Sequence, residues 1–362
     1  MERREKIAAV SEVRPPATSV GVIGWMRANL FNSPLNSLLT IFFLFSFYKL
    51  VPPRVRWAFF DCVWSAPAQV CRESTGACWS VVTRNFRFIL FGFYPYDEQW
   101  RPAVSLIIFI ILVIFSHNRR YWNKTLLFVW LGGVAVMGVI MRGGLLGLTV
   151  VESTKWSGVI LTLMLSLFGL TAAYPLGVLL ALGRKSSLPA IKTLSVVYIE
   201  MIRGVPLISL LFMSSVMFPL FLPEGITIDK ILRAQVAIIM FTAAYIAEVV
   251  RGGLQAIPKG QYEAAEALGL DYSQKMRLIV LPQALKIVIP PTVSILISAF
   301  KDTSLVIIIG LFDLMKTTQV TLSNPEWSGF STEAYIFIAL LYFGGCFAMS
   351  NFSRSLEKEL KT

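Results

Sequence analysis

Eight apolar stretches dictate what this chain can fold into. They are Leu35–Val51, Ala103–Ser116, Thr125–Met141, Val159–Leu182, Leu188–Leu222, Ile231–Val250, Ala284–Phe300 and Ala334–Phe352. Most approach or exceed the roughly 20 residues that a bilayer-spanning helix needs. At 56% hydrophobic and 15% charged, the sequence is too apolar for a soluble domain of 362 residues. The expected fold class is an all-α polytopic membrane protein. Its net charge of +12 does not point to nucleic acid. Membrane proteins keep Lys and Arg in cytoplasmic loops, where they set orientation.

In chain order, residues 1–34 form a basic tail, amphipathic near Trp25–Phe31, without the apolar core and cleavage site of a signal peptide. Residues 35–150 make an N-terminal membrane region. Its first run closes at Pro52-Pro53, and a loop over 54–101 carries an aromatic stretch from Phe91 to Trp100 that suits a membrane interface. Ala103–Ser116 is only about two-thirds of spanning length. A basic loop follows over 117–124, and Arg142–Ser157 connects to a second block, 151–352. There Pro175 lies inside a run, Lys192, Glu200, Arg203 and Pro206 interrupt Leu188–Leu222, and Lys301–Ser304 interrupts before Leu305–Met315. Residues 353–362 are a charged tail. Eight spans put both termini in the cytoplasm and 54–101 in the periplasm. The positive-inside rule agrees at 117–124, 183–187, the polar segment within 252–282 and the C-terminal tail. It disagrees at Arg54, Arg56, Arg72, Arg84, Arg87 and Arg101, in a loop long enough to weaken the bias. A re-entrant Ala103–Ser116 would instead flip the N-terminus.

Between two spans lies a polar, amphipathic segment, within 252–282, that is too short to cross a bilayer. Gln261–Leu268 reads as one helix, started after Pro258 and Gly260 and stopped by Gly269. Ala264, Ala265 and Leu268 would form a small apolar patch, with Glu263 and Glu266 facing elsewhere. A second helix starts at Asp271, with Gln274 completing a capping-box pattern, and runs to Leu281, where Pro282 breaks it. Such helices suit a partner's grip at the membrane surface.

Ionisable groups at bilayer depth cost several kcal/mol and are functional candidates by default. Glu200 and Arg203 share a helix face, either as a mutually neutralising pair or as a pathway lining, with Gly204 and Pro206 loosening the helix. Tyr245, Glu248 and Arg251 form a similar set, in which Arg251 could snorkel to the interface. At Lys301, Asp302, Thr303 and Ser304, either Asp302 or Thr303 caps the next helix, or the site recognises a zwitterion through backbone amides and the Lys–Asp couple.

Cys62, Cys71 and Cys78 fall in the 54–101 loop, where one disulfide could form; Cys71–Cys78 would close a small loop around Arg72–Gly76. Cys346 reads as a small core residue. The cysteine spacing does not suit zinc and the single histidine, His117, lies beyond another span, so no metal is expected. No Gly-x4-Gly-Lys-Ser/Thr loop occurs, Gly183-Arg-Lys-Ser being a near miss, so ATP would have to be hydrolysed elsewhere.

The spacing of Glu263, Ala264, Ala265, Gly269, Ile279, Leu281 and Pro282 resembles the EAA loop by which permease subunits of bacterial ATP-binding-cassette (ABC) importers dock on their ATPase. With EMIRGVPL from Glu200, AYIAEVVRGG from Ala244 and KDTSL from Lys301, residues 155–352 resemble the polar amino-acid permease family. The N-terminal extension is similar to the general L-amino-acid permease M-type branch, close to glutamate/glutamine/aspartate/asparagine permeases. The resemblance implies a type I importer core of five helices preceded by about three extra transmembrane helices, in the bacterial inner membrane. It implies as partners a second homologous permease subunit, an ATPase dimer that binds the ATP and Mg, and a periplasmic amino-acid-binding protein. This chain would carry no cofactor and catalyse nothing itself. Transport of L-amino acids, polar, acidic and amide ones included, would proceed by alternating access. Two readings compete: an ion-coupled secondary transporter with a broken helix near the midplane, and, without any convergent His, Cys or Ser set, a membrane enzyme.

Overall fold

The computed structural model describes residues 21–118, 121–145 and 147–360. Most of the expected N-terminal tail, part of the 117–124 loop and the last two residues lie outside them. The described helices are α1 (Gly21–Asn29), α2 (Pro34–Val55), α3 (Ala68–Glu73), α4 (Ser80–Phe91), α5 (Trp100–His117), α6 (Lys124–Arg142), α7 (Gly158–Arg184), α8 (Pro189–Arg203), α9 (Leu207–Phe212), α10 (Lys230–Ala256), α11 (Lys259–Ala267), α12 (Tyr272–Lys275), α13 (Leu281–Asp302), α14 (Leu314–Ser323) and α15 (Ser331–Leu360). Seven helical runs among the described residues are long and apolar enough to cross a membrane, and the bent pair α8–α9 would be an eighth if it counts as one broken span.

Among the described residues, those from Gly21 to Cys78 form one compact unit and those from Trp79 onward another. In the first, Ser33 caps α2 by accepting from the Asn36 N–H at 3.2 Å. Pro52 and Pro53 do not close this span. Both lie within the helix, which continues as a π-helical turn over Arg56–Phe60. A backbone in hydrocarbon has no other partners for its polar groups, so the helix widens around the prolines. Beyond it, Cys71 and Cys78 are joined by a disulfide, and Cys62 is free.

In the second unit, α10 lies along α7 and touches α8, α9 and α13. Ala173, Ile199, Ile246, Val250, Val280 and Val288 bury one layer of core among α7, α8, α10 and α13. Leu161, Leu165, Leu211, Ile238 and Val306 form a second layer. Pro175 sits inside α7 without ending it. The α8–α9 break at Gly204–Pro206 turns the chain by 103°. α5 is a full spanning helix packed on α6, because its run begins at Tyr96 rather than at Ala103.

The loop over 54–101 is largely helical. α4 buries Val81, Val82 and Ile89, and packs on α7, α14 and α15. Burial of each such aliphatic side chain from water contributes about 1.5–3 kcal/mol. Thr317 Oγ1 donates to the Ile89 carbonyl at 2.7 Å, and Ser157 Oγ donates to the Phe91 carbonyl at 3.1 Å. Gly158, at φ +69, approaches so closely that an added Cβ would lie 2.0 Å from the Leu90 carbonyl oxygen. Nearby, Arg101 is buried, paired with Glu98 at 2.8 Å and donating to the Thr149 carbonyl at 2.7 Å. Tyr94 donates to the Met141 carbonyl at 2.8 Å; burial pushes its phenol above the ordinary range, so it stays a neutral donor.

Candidate functional site

Three features of the second unit carry chemistry: an exposed helical hairpin, a charged cluster and a polar-edged cavity. The hairpin is α11 and α12. Gly269 ends α11 at φ +73, its N–H bonding to Glu266 O at 2.9 Å while Leu270 N–H reaches Ala265 O at 3.1 Å. This is the paired C-terminal motif that needs a left-handed residue. Asp271 and Gln274 then form the reciprocal capping box, with bonds of 2.8 and 3.1 Å.

Of the signature residues, Glu263, Ala264, Gly269 and Pro282 are exposed, Ile279 and Leu281 are half-buried, and Ala265 is fully buried. The expected Ala264–Ala265–Leu268 patch is therefore split. Ala265 anchors α11 to its own protein, while Ala264 and Leu268, the latter 75% exposed, face outward. Tyr262 donates to the Leu254 carbonyl at 3.0 Å, and Gln283 donates to Gln261 Oε1 at 3.0 Å, holding the hairpin against α10 and α13. Glu266 pairs with Lys275 across it. Pro282 does not break the second helix. α12, a π-helical turn over Met276–Val280 and α13 form one run. Pro282 directly follows that π-helical turn, at the first positions of α13, and the run passes through it.

Glu248 of α10 is the hub of the charged cluster. Its carboxylate pairs with Arg184 of α7 at 3.2 Å, with Arg203 of α8 at 3.4 Å and with Arg251 at 2.7 Å through Nε. Glu200 pairs with Arg184 at 2.9 Å. Glu200 and Arg203 thus each reach a different helix instead of pairing with each other, because packing brings α7 and α10 closer to these groups than their i,i+3 neighbour. Arg251 likewise is tied to Glu248. Three arginines over two carboxylates leave an excess positive charge. Arg184, assigned in the sequence to a basic turn, was missed as a member; no local signal marks it.

The cavity, about 370 Å³, is lined by Thr242, Tyr245, Ser294, Ser298 and Asp302 among apolar neighbours. Tyr245 joins it to the cluster, since Arg203 lies 5.6 Å from its ring centroid. The Lys301–Ser304 group does not act as one. α13 passes through Lys301 and Asp302 into a 3-10 helix, Thr303–Ile309, ended by Gly310 at φ +70. Asp302 makes no side-chain cap. Thr303 is buried, donating to the Phe300 carbonyl at 2.8 Å, and Ser304 donates to the Lys301 carbonyl at 2.9 Å. Asp302 is the member of the group that lines the cavity. Thr242, Ser294 and Ser298 escaped sequence reading; their signal was small hydroxyls inside apolar runs, the two serines one turn apart.

Residues 173–362 match the family described as binding-protein-dependent transport system inner membrane component. The inner membrane amino-acid ABC transporter permease protein YhdY of Escherichia coli is 48% identical over 348 residues, covering 93% of each chain. The glutamate/glutamine/aspartate/asparagine transport system permease protein BztC of Rhodobacter capsulatus is 41% identical, covering 96% of this chain and 95% of the relative. Among solved structures, the crystal structure of an amino acid ABC transporter with histidines superposes with a TM-score of 0.50 and 32% identity, over 56% of this chain and 92% of that one. This chain belongs to the binding-protein-dependent transport system inner membrane components, and is a permease subunit of an ABC importer.

Proposed function

We propose that the chain moves L-amino acids, acidic and amide ones included, inward across the bacterial inner membrane by alternating access. The observation that carries this reading is the α11–α12 hairpin, exposed and rigidly capped between two spans. It is built to be gripped by an ATPase subunit, with Glu263, Ala264, Gly269, Ile279, Leu281 and Pro282 as the contact and Ala265 as its anchor. An ATPase dimer binds the ATP and Mg, a second permease subunit completes the pathway, and a periplasmic binding protein delivers substrate. The hairpin then faces the cytoplasm, as do both termini. The relatives named for amino acids support the substrate class.

In the cavity, Asp302 would hold the α-ammonium and Thr242, Ser294 and Ser298 would offer hydroxyls. The excess charge of the cluster, relayed at Arg203 beside Tyr245, would draw the α-carboxylate. Labelled amino-acid uptake into vesicles holding the chain with its partners tests the reading. Uptake that requires ATP and binding protein, and survives collapse of ion gradients, supports it. Gradient-driven uptake without ATP would replace it with secondary transport.

A further inference from the structure

α5, α6 and α7 line a second cavity of about 300 Å³ that the transport pathway does not use. Its lining is apolar, with Met137 and Gly138 of α6 and Met164 and Phe168 of α7 among its walls. Two polar atoms break that surface: Ser105 Oγ and Trp156 Nε1. Both are buried and have no hydrogen-bond partner among the described residues. Ser105 is 2% exposed. Leaving such donors unpaired costs about 1–3 kcal/mol each. An apolar chamber with a few convergent polar groups is the usual form of a ligand site.

The chemistry of the orphans selects the ligand. An indole N–H only donates and a hydroxyl can donate, so the ligand end must be an acceptor such as a carbonyl oxygen, not an ammonium. Its body must be hydrocarbon. Trp156 stands two residues before α7, at the end of a span, where tryptophans meet the ester level of a bilayer. Phe168 is 40% exposed while lining the chamber, so the chamber opens on the outside of the bundle. A helix, about 10 Å across with its side chains, is too wide to enter; one chain of methylenes is not. Gly138 makes the room: a Cβ added there would meet nothing within 4 Å.

We propose that a diacyl phospholipid seats one acyl chain in this chamber, its ester carbonyl accepting from Trp156 Nε1 and Ser105 Oγ. The lipid fills the seam where α5 and α6 meet α7.

The test is photo-crosslinking of the full chain in phosphatidylethanolamine–phosphatidylglycerol vesicles, using a phosphatidylglycerol with a diazirine midway along one acyl chain. Label is expected on Met137 and Met164. It should fall at least fivefold in Gly138→Leu, whose Cβ meets nothing within 4 Å on the chamber wall, while label on the outward-facing Leu127 and Phe128 stays constant. Trp156→Phe keeps the ring and loses the donor; label at the two methionines should drop roughly two- to tenfold, as for one lost hydrogen bond. Equal labelling of wild type and Gly138→Leu would overturn the proposal. So would displacement of the label by a free fatty acid but not by unlabelled diacyl lipid.

Discussion

Arg203 and Glu248 meet at 3.4 Å between the end of α8 and the body of α10. Arg203 is the last helical residue before the 103° bend that Gly204 and Pro206 introduce, so this ion pair ties the end of α8 to α10 just ahead of the turn. Removing Glu248 leaves Arg184, Arg203 and Arg251 facing one another with only Glu200 nearby. Glu248→Gln, which preserves shape, should cost roughly 1.5–3 kcal/mol, the range for hydrogen bonds to charged groups. Thermal unfolding of the detergent-purified chain checks this. An unchanged Tm would mean that the cluster is dispensable to the fold.

Gly269 holds a left-handed backbone in open space. A Cβ at Gly269 meets no neighbour, but Gly269→Leu carries left-handed backbone strain of about 1–2 kcal/mol, which weakens the turn that joins α11 to α12. The assembled importer should then hydrolyse ATP with amino-acid uptake reduced at least tenfold. Normal uptake per ATP in that variant would remove the hairpin from the coupling path.

Asp302 should act on substrate and not on stability, since it caps nothing. In Asp302→Asn, uptake kinetics should change, with half-saturation raised at least tenfold, while the unfolding temperature moves by less than the variant at Glu248. Unaltered uptake kinetics would take Asp302 out of the cavity's recognition role.

Asp313 gives a pH signature. Burial pushes its carboxyl above the ordinary aspartate range, opposed by the N–H groups of Lys316 and Met315, at 2.9 and 3.2 Å, and by the Tyr342 hydroxyl at 3.3 Å. A raised folded-state pKa means that the native state favours the protonated form. Its stabilising contribution is complete below about pH 4, the unfolded value, and is lost as pH rises through the raised value. Asp313→Asn keeps an acceptor for the α14 cap and cannot ionise. Its Tm should exceed that of wild type above this window, with the difference shrinking as pH falls toward 4. Parallel Tm–pH curves for the two proteins would exclude the effect. Asp313→Ala, lacking the cap as well as the charge, should be about 1 kcal/mol less stable than Asp313→Asn at any pH.

Features set by neighbours in sequence could be read without coordinates. The stop at Gly269 and the box of Asp271 with Gln274 are local hydrogen-bond patterns. The spans follow from runs of apolar residues, and the α8–α9 bend from Gly204 and Pro206. Features set by which helix lies beside which could not be read. Glu200 takes Arg184 as its partner across α7 and α8, and Ala265 turns inward although Ala264 beside it does not. The prolines misled for a related reason: Pro52, Pro53 and Pro282 read as helix stops in water, whereas a membrane chain absorbs them in π-helical turns or first turns because it has nowhere else to place its backbone polar groups.

The helical run from Tyr272 to Ile309 has a mechanical consequence. Ile279 and Leu281 at its hairpin end and Asp302 at the cavity belong to one helical run, with no loop between them to dissipate a push. At about 1.5 Å per residue, a tilt imposed at the hairpin arrives some tens of ångströms away as a sideways swing of the cavity wall. Pro290 and Pro291 are the weak joint in that lever. Its stiffness at those two residues sets how much of the stroke is delivered and how much is spent in bending.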